Sequence, residues 1–242
     1  MPVLLITGAN RGIGLEFVRQ YAAEGWNVIA CCRVLETAKA LQVLAKSNSA
    51  IRIEKLDVSD SDAIKNLAQK LKDVAIDLLI NNAGILSGAN GFTSALDSDV
   101  SQTFGTIDPE AWGKVFRVNT IAPILMIQAF LPLMVRSADR KIVNITSKMG
   151  SISEMGGGHD HIAYRTSKAA LNAAMRSIAS AVNECGISIT NIHPGWVKTD
   201  MGGKDARLTI EQSVTTMRKT ISALKTESSG QFLNYDGSVL PW

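Results

Sequence analysis

Val3-Leu-Leu-Ile-Thr-Gly-Ala-Asn-Arg-Gly-Ile-Gly14 decides the fold. Five strand-forming residues, Val3–Thr7, run into three glycines, Gly8, Gly12 and Gly14. The apolar spacing beyond them is that of a helix. Glycines at a strand-to-helix turn let the backbone pass close to a phosphate held at the helix N-terminus. Asn10, Arg11 and Ile13 complete the turn and are candidate phosphate neighbours with the glycines. The spacing is not the G-x-G-x-x-G fingerprint, so a tight turn with no ligand stays open on the glycines alone.

Outward from this turn, short apolar runs alternate with helical patterns, as in a parallel sheet covered on both faces. Strands are expected at Val3–Thr7, Trp26–Cys32, Ile51–Lys55, Ile76–Asn81, Lys141–Thr146, Ser188–His193 and near Gln231–Asn234. A helix should begin at Asp108-Pro109-Glu110, with Asp as N-cap and Pro in the first turn. Another should span about Ala163–Asn183, where Tyr164, Lys168, Leu171, Met175, Ile178 and Val182 fall at helical spacing, and a third should follow Thr209. The class is α/β, a doubly wound, mainly parallel sheet. One domain over 1–242 is expected, because no linker, repeat or low-complexity tract divides the chain. Segments of about 86–107, 149–161 and 195–208 read as substrate loops beyond strand carboxyl ends, where such sheets bind ligands.

An apolar content of 46% supplies a core, and a net charge of +3 with interspersed signs argues against nucleic-acid or membrane-surface partners. The stretch Ile121–Val135 is short for a membrane span and is interrupted by Pro123, Gln128 and Pro132, so a buried helix is expected. Cys31, Cys32 and Cys185 make no disulfide framework, and His159-Asp-His161 has no further ligand nearby, so no metal site is expected. A cytoplasmic setting is expected, with no room for a signal peptide ahead of Val3.

Val28-Ile-Ala-Cys-Cys-Arg33 ends the second expected strand. An acid there would bind the ribose 2′-hydroxyl of NAD, whereas a base accommodates the 2′-phosphate of NADP. Arg33, with Arg11 in the glycine turn, therefore favours NADP(H) over NAD(H), although either can be an ordinary surface arginine.

Tyr164-Arg-Thr-Ser-Lys168 sets a phenol and an ammonium on one helix face. A free phenol titrates near pH ~10, and lowering that by about three units takes roughly 4 kcal/mol. A nearby cation can supply much of it, so Lys168 is expected to acidify Tyr164. Ser147, just after the fifth expected strand, reads from the residues alone as a turn or cap serine. Pro123 has no N–H, so the carbonyl of Asn119 loses its usual helical partner and is free to hold a water.

Over nearly its whole length the chain resembles the short-chain dehydrogenase/reductases. The matching motifs are Thr7-Gly-x-x-x-Gly-Ile-Gly14, Asp57-Val58, Asn81-Asn-Ala-Gly84, Asn119, Ser147, Tyr164-x-x-x-Lys168 and Pro194-Gly195. The stretches Tyr164–Asn172, His193–Gly202 and Asn234–Gly237 are similar, more narrowly, to the Sniffer-type carbonyl reductases and the related C-factor proteins. The resemblance implies a Rossmann-type sheet of seven strands in the order 3-2-1-4-5-6-7 and a catalytic tetrad of Asn119, Ser147, Tyr164 and Lys168. It also implies that Asp57 and Val58 frame the adenine, and that Asn82, Ala83 and Gly84 border its ribose. Pro194, Gly195, Val197 and Thr199 would border the nicotinamide, and Lys168 would hold the nicotinamide ribose. Ser147 and Tyr164 stand 17 residues apart, a few more than the family pattern, with Gly156-Gly-Gly158 between them.

The function so implied is NADPH-dependent reduction of small aldehydes, ketones or quinones by hydride transfer, with Tyr164 as proton donor. Ser147 and Tyr164 would touch the substrate, and Leu86, Met149, Trp196 and Met201 are candidates for an apolar pocket or equally for core packing. A signalling or sensor protein that binds NADP(H) with little turnover shares the fold. A sugar epimerase would need a longer C-terminal extension. Helices around Ala111–Val135 and Ala163–Val182 pair across subunits in many relatives, so a homodimer or tetramer is a possible state.

Overall fold

The computed structural model describes residues 1–87, 103–156 and 160–242. Its strands are Val3–Thr7 (β1), Asn27–Cys32 (β2), Ile51–Lys55 (β3), Leu78–Asn81 (β4), Lys141–Ile145 (β5), Ser188–His193 (β6) and Phe232–Asn234 (β7). They form one parallel sheet in the order β3-β2-β1-β4-β5-β6-β7. Leu4, Leu5 and Ile6 are completely buried, as residues of a strand covered on both faces must be. β4 starts two residues later than expected because the N–H of Ile76 leaves the sheet and donates to the carbonyl of Leu133.

The helices among the described residues are Gly12–Ala23 (α1), Lys39–Ser47 (α2), Ser61–Lys70 (α3), Pro109–Phe116 (α4), Ala122–Met134 (α5), Ile162–Glu184 (α6) and Ile210–Ala223 (α7). On one face Phe17, Leu41, Val214 and Met217 pack against Ile6, Ala30, Val143 and Ile192. On the other, Ile64, Phe130, Leu171 and Met175 pack against Leu5, Leu79, Ile142 and Ile189. Helix starts follow the capping residues. Asp108 accepts from the amide of Glu110, with Pro109 in the first turn, and Thr209 and Gln212 form a reciprocal capping box ahead of α7.

Between α4 and α5 the backbone widens into a π-helical turn, Arg117–Ile121, in which the N–H of Ala122 donates to the carbonyl of Arg117. Pro123 cannot donate to Asn119, so the ladder slips from i+4 to i+5 just upstream of it. The run Pro109–Met134 is thereby continuous over 26 residues, longer than the sequence led us to expect, and passes the length and composition test for a membrane-crossing helix. Its apolar residues Met126, Ile127, Phe130 and Leu133 are packed in the core, as in the interior helix of a globular domain.

Candidate active site

The sheet reverses its winding between β1 and β4, and the loops leaving these two strands meet there. Gly8 has φ +66°, and a Cβ on it would lie 2.9 Å from the Cα of Ala83, so the two backbones touch. Asn82 stitches them together. Its Nδ2 donates to the carbonyls of Thr7 (2.9 Å) and Gly8 (3.0 Å), and Thr7 Oγ1 accepts from the amides of Asn82 and Ala83. A Cβ on Gly14 would stand 2.2 Å from the carbonyl oxygen of Gly8, so the helix can start this close to the turn only with glycine there. No side chain caps the start of α1 and no acid lies in its first turn. Orphan amides at a helix N-terminus suit an anion such as a phosphate.

From this turn a cleft of about 1110 Å³ opens over the carboxyl ends of the strands. At one end are Arg33, which follows β2 and is exposed, and Asp57 and Val58, which lie beyond β3. The carboxylate of Asp57 is fixed by the amide and hydroxyl of Ser59 (2.9 and 2.6 Å). Arg11 reaches across the mouth to Asp200, 3.2 Å away. At the other end the walls are Tyr164 and Lys168, one turn apart on α6.

Lys168 is buried and its Nζ donates to the carbonyl of Ile145 at 2.9 Å, while standing 5.8 Å from the centre of the Tyr164 ring. Burial pushes the amine down to about 8. Tyr164 is also buried. Desolvation pushes its phenol up to about 12, and the hydrogen bond to Ser147 pulls the other way without overcoming it. The expected acidification of the phenol by the ammonium is thus not seen; burial outweighs the Ser147 hydrogen bond. Ser147 closes the loop after β5 and accepts the amide of Met149 at 3.1 Å. Asn119 sits in the π turn with its side chain fully used: Oδ1 accepts from the amide of Ile85, and Nδ2 donates to Ile85 O and Ser167 Oγ.

Residues 2–208 match the family model described as short chain dehydrogenase. The chain belongs to the short-chain dehydrogenases. Among solved structures, it is 35% identical to the carbonyl reductase Sniffer of D. melanogaster, with a TM-score of 0.88 and full coverage of both chains. An NADPH-bound carbonyl reductase from chicken fatty liver is 38% identical, also at TM-score 0.88 with full coverage of both. The C-signal protein of Myxococcus xanthus is 39% identical over 167 residues, 69% of this chain and 93% of that one.

In this short-chain dehydrogenase the expected nucleotide residues Gly8, Asn10, Arg11, Gly12, Ile13, Gly14 and Arg33 all line the cleft. So do Asp57, Val58, Asn82, Ala83, Gly84, Pro194 and Thr199. Gly195 and Val197 do not; Val197 is buried in a bridge to Leu208, and Gly195 packs under Leu208 and Tyr235. Of the expected tetrad, Tyr164 and Lys168 line the cleft, whereas Ser147 and Asn119 do not; Ser147 hydrogen-bonds the Tyr164 phenol, and Asn119 is tied to Ile85 and Ser167. Of the four apolar candidates only Met201 lines it. Leu86 is buried, Met149 lies in the short turn that Ser147 caps, and Trp196 is held over its own loop by a 2.7 Å bond from Nε1 to Gly202 O. His159, Gly157, Gly158 and most of 86–107 lie outside the described residues, among which no cluster of three metal-ligating side chains occurs.

Sequence reasoning passed over Lys198 and Lys204, which add positive charge to the cleft wall near Arg11. It also passed over a buried asparagine ladder across three strands. Asn81 Nδ2 donates to Asn144 Oδ1 (2.9 Å), and Asn144 Nδ2 donates to Asn191 Oδ1 (3.1 Å). Asparagines within otherwise apolar strand runs were the available signal.

Proposed function

We propose that this short-chain dehydrogenase is an NADPH-dependent reductase of small aldehydes, ketones or quinones, with Tyr164 as the proton donor. The observation that carries the reading is one cleft with an uncapped helix start and Arg33 toward one end and the Tyr164–Lys168 pair at the other. The similarity to an NADPH-bound carbonyl reductase supports the same cofactor here.

The glycine turn and the amides of α1 would hold the pyrophosphate, and Arg33 and Arg11 the 2′-phosphate. The reduced nicotinamide, when bound, supplies a hydride to the carbonyl carbon. Tyr164, protonated at neutral pH because burial holds it near 12, gives its proton to the carbonyl oxygen as charge develops there. Ser147 hydrogen-bonds the same oxygen and shares its charge. A phenolate left in this buried setting is unfavourable, and Lys168 would stabilise it and help return a proton. The pinned side chain of Asn119 holds the π turn in place, and its backbone carbonyl, to which Pro123 has no N–H to offer, would hold a water.

Loss of NADPH absorbance with a panel of carbonyl compounds tests the reading. Wild type should turn over, and Tyr164→Phe should lose ~10²–10⁴-fold in kcat with NADPH affinity kept. Equal rates in both would remove Tyr164 as donor. The similarity to C-signal favours a second reading, an NADP(H)-binding sensor with little turnover. Tight NADPH binding with no turnover of any carbonyl would select it.

A further inference from the structure

After β7 the chain turns back on itself. The amide of Asn234 donates to Ser238 O, Leu233 and Val239 form an antiparallel bridge, and the amide of Leu240 donates to Phe232 O. The return lays the ring of Trp242 against Phe232, centroids 5.7 Å apart, and the guanidinium of Arg176 on α6 stacks over it at 5.3 Å. Two backbone oxygens of this tail then meet the segment that follows Ser147. Pro241 O accepts from Ser151 Oγ at 2.8 Å, and Trp242 O accepts from the amide of Ser153 at 2.8 Å and from its hydroxyl at 2.5 Å.

Ser151 is completely buried, so its bond to the tail is shielded from water. One residue earlier the segment is wedged onto α6, where a Cβ on Gly150 would stand 2.7 Å from the carbonyl carbon of Lys168. The stretch from Ser147 to Ser153 is therefore gripped on two sides, by the helix that carries Tyr164 and Lys168 and by the tail. No residue of the tail lines the nucleotide cleft.

We infer that residues 238–242 are a strap that positions Ser147 against Tyr164, and that the Trp242 ring is its anchor. Trp242 is a positioning residue: it does not line the cleft, and acts by holding two backbone oxygens where Ser151 and Ser153 need them. A shift of about 1 Å in a positioned catalytic group can cost ~100-fold in rate, so a loose strap should be read mainly in kcat. The kinetic arm of this inference rests on the carbonyl-reductase reading; its structural arm does not.

The experiment compares wild type, Trp242→Ala, Trp242→Phe and Ser151→Ala by steady-state kinetics with NADPH and a carbonyl that wild type reduces. NADPH affinity is measured by calorimetry, and amide hydrogen exchange is followed over Met149–Ser153. Trp242→Ala and Ser151→Ala should lose ~10- to 100-fold in kcat, keep NADPH affinity within about twofold, and exchange faster over Met149–Ser153. Trp242→Phe, which keeps a ring for Phe232 and Arg176, should recover most of both losses. Unchanged kcat, a loss of NADPH affinity in step with kcat, or no recovery in Trp242→Phe would overturn the strap. If wild type reduces no carbonyl, the functional reading fails and exchange alone decides. Faster exchange confined to Met149–Ser153 in Trp242→Ala then supports the strap, and unchanged or global exchange refutes it; the same criterion applied to Ser151→Ala decides if Trp242→Ala does not fold.

Discussion

The Nζ of Lys168 is spent on the carbonyl oxygen of Ile145, 2.9 Å away, at the end of the strand that leads to Ser147. That bond partly repays the burial of an amine whose pKa is pushed from 10.5 down to about 8. Between pH 8 and 10.5 the unfolded chain holds the proton more fully than the folded one, so this group makes stability rise with pH across that window. Below pH 8 the cost stands in full, on the order of 3 kcal/mol at ~1.36 kcal/mol per unit. Lys168→Met should therefore melt higher than wild type at pH 7, with an advantage that shrinks by pH 10, while losing reductase activity. An advantage equal at both pH values would show that the buried charge is not its source.

Ser147 serves two partners at once, the phenol of Tyr164 and the amide of Met149. On the proposed reading, Ser147→Ala removes a hydrogen-bond donor to the developing oxyanion, so kcat should fall by ~10²–10³-fold. Because this hydrogen bond lowers the phenol's pKa against the pull of burial, its loss should also move the alkaline limb of the rate profile upward. NADPH affinity measured by calorimetry should not change. An unaltered kcat would reduce Ser147 to a turn serine.

The parts of the fold legible in the sequence were those set by local rules. Val3–Thr7 reads as a strand and Gly8–Gly14 as its turn because burial and φ are decided within a few residues. Tyr164 and Lys168 reach one cleft because helical periodicity puts them on one face. What could not be read was which contact wins over a long sequence distance. Asn82 is drawn to Thr7 and Gly8, 75 and 74 residues away, and so acts on the turn as well as beside the cleft. The charge of Lys168 meets Ile145 O only because the fold brings α6 to the carboxyl end of β5. The π turn was half legible: Pro123 marks the missing donor, but the i+5 register depends on how α4 and α5 pack.

Gly14 and Gly113 should respond in opposite directions to alanine. At Gly14 the new Cβ would lie 2.2 Å from Gly8 O, a backbone atom that can yield only by opening the turn. Gly14→Ala should cost about 1–3 kcal/mol and weaken NADPH binding at least in proportion. Gly113, within α4, has nothing within 4 Å of its Cβ position, so Gly113→Ala should stabilise by about 0.5–1 kcal/mol through helix propensity alone. Denaturant melts of both variants, with and without NADPH, check the pair. A Gly14→Ala protein as stable as wild type would mean the turn is looser than its contacts imply.

Arg33 carries the cofactor preference if the 2′-phosphate lies at the end of β2. Its guanidinium is exposed at the cleft rim and has no hydrogen-bond or ion-pair partner among the described residues, so it is available to a ligand. A charge-assisted hydrogen bond contributes about 1.5–3 kcal/mol, which is roughly 10- to 100-fold in affinity. Arg33→Asp removes that bond, sets a like charge against the phosphate, and offers an acceptor to an unphosphorylated ribose hydroxyl. The ratio of kcat/KM for NADPH to that for NADH should therefore fall by at least ~100-fold. The fall should be smaller at high salt, because an exposed pair is screened. Arg11 reaches the same cleft but is paired with Asp200, so Arg11→Ala should shift the ratio less. Steady-state kinetics with both cofactors at two ionic strengths settles the assignment. A ratio unmoved by Arg33→Asp would transfer the preference to Arg11, Lys198 or Lys204, which line the same cleft.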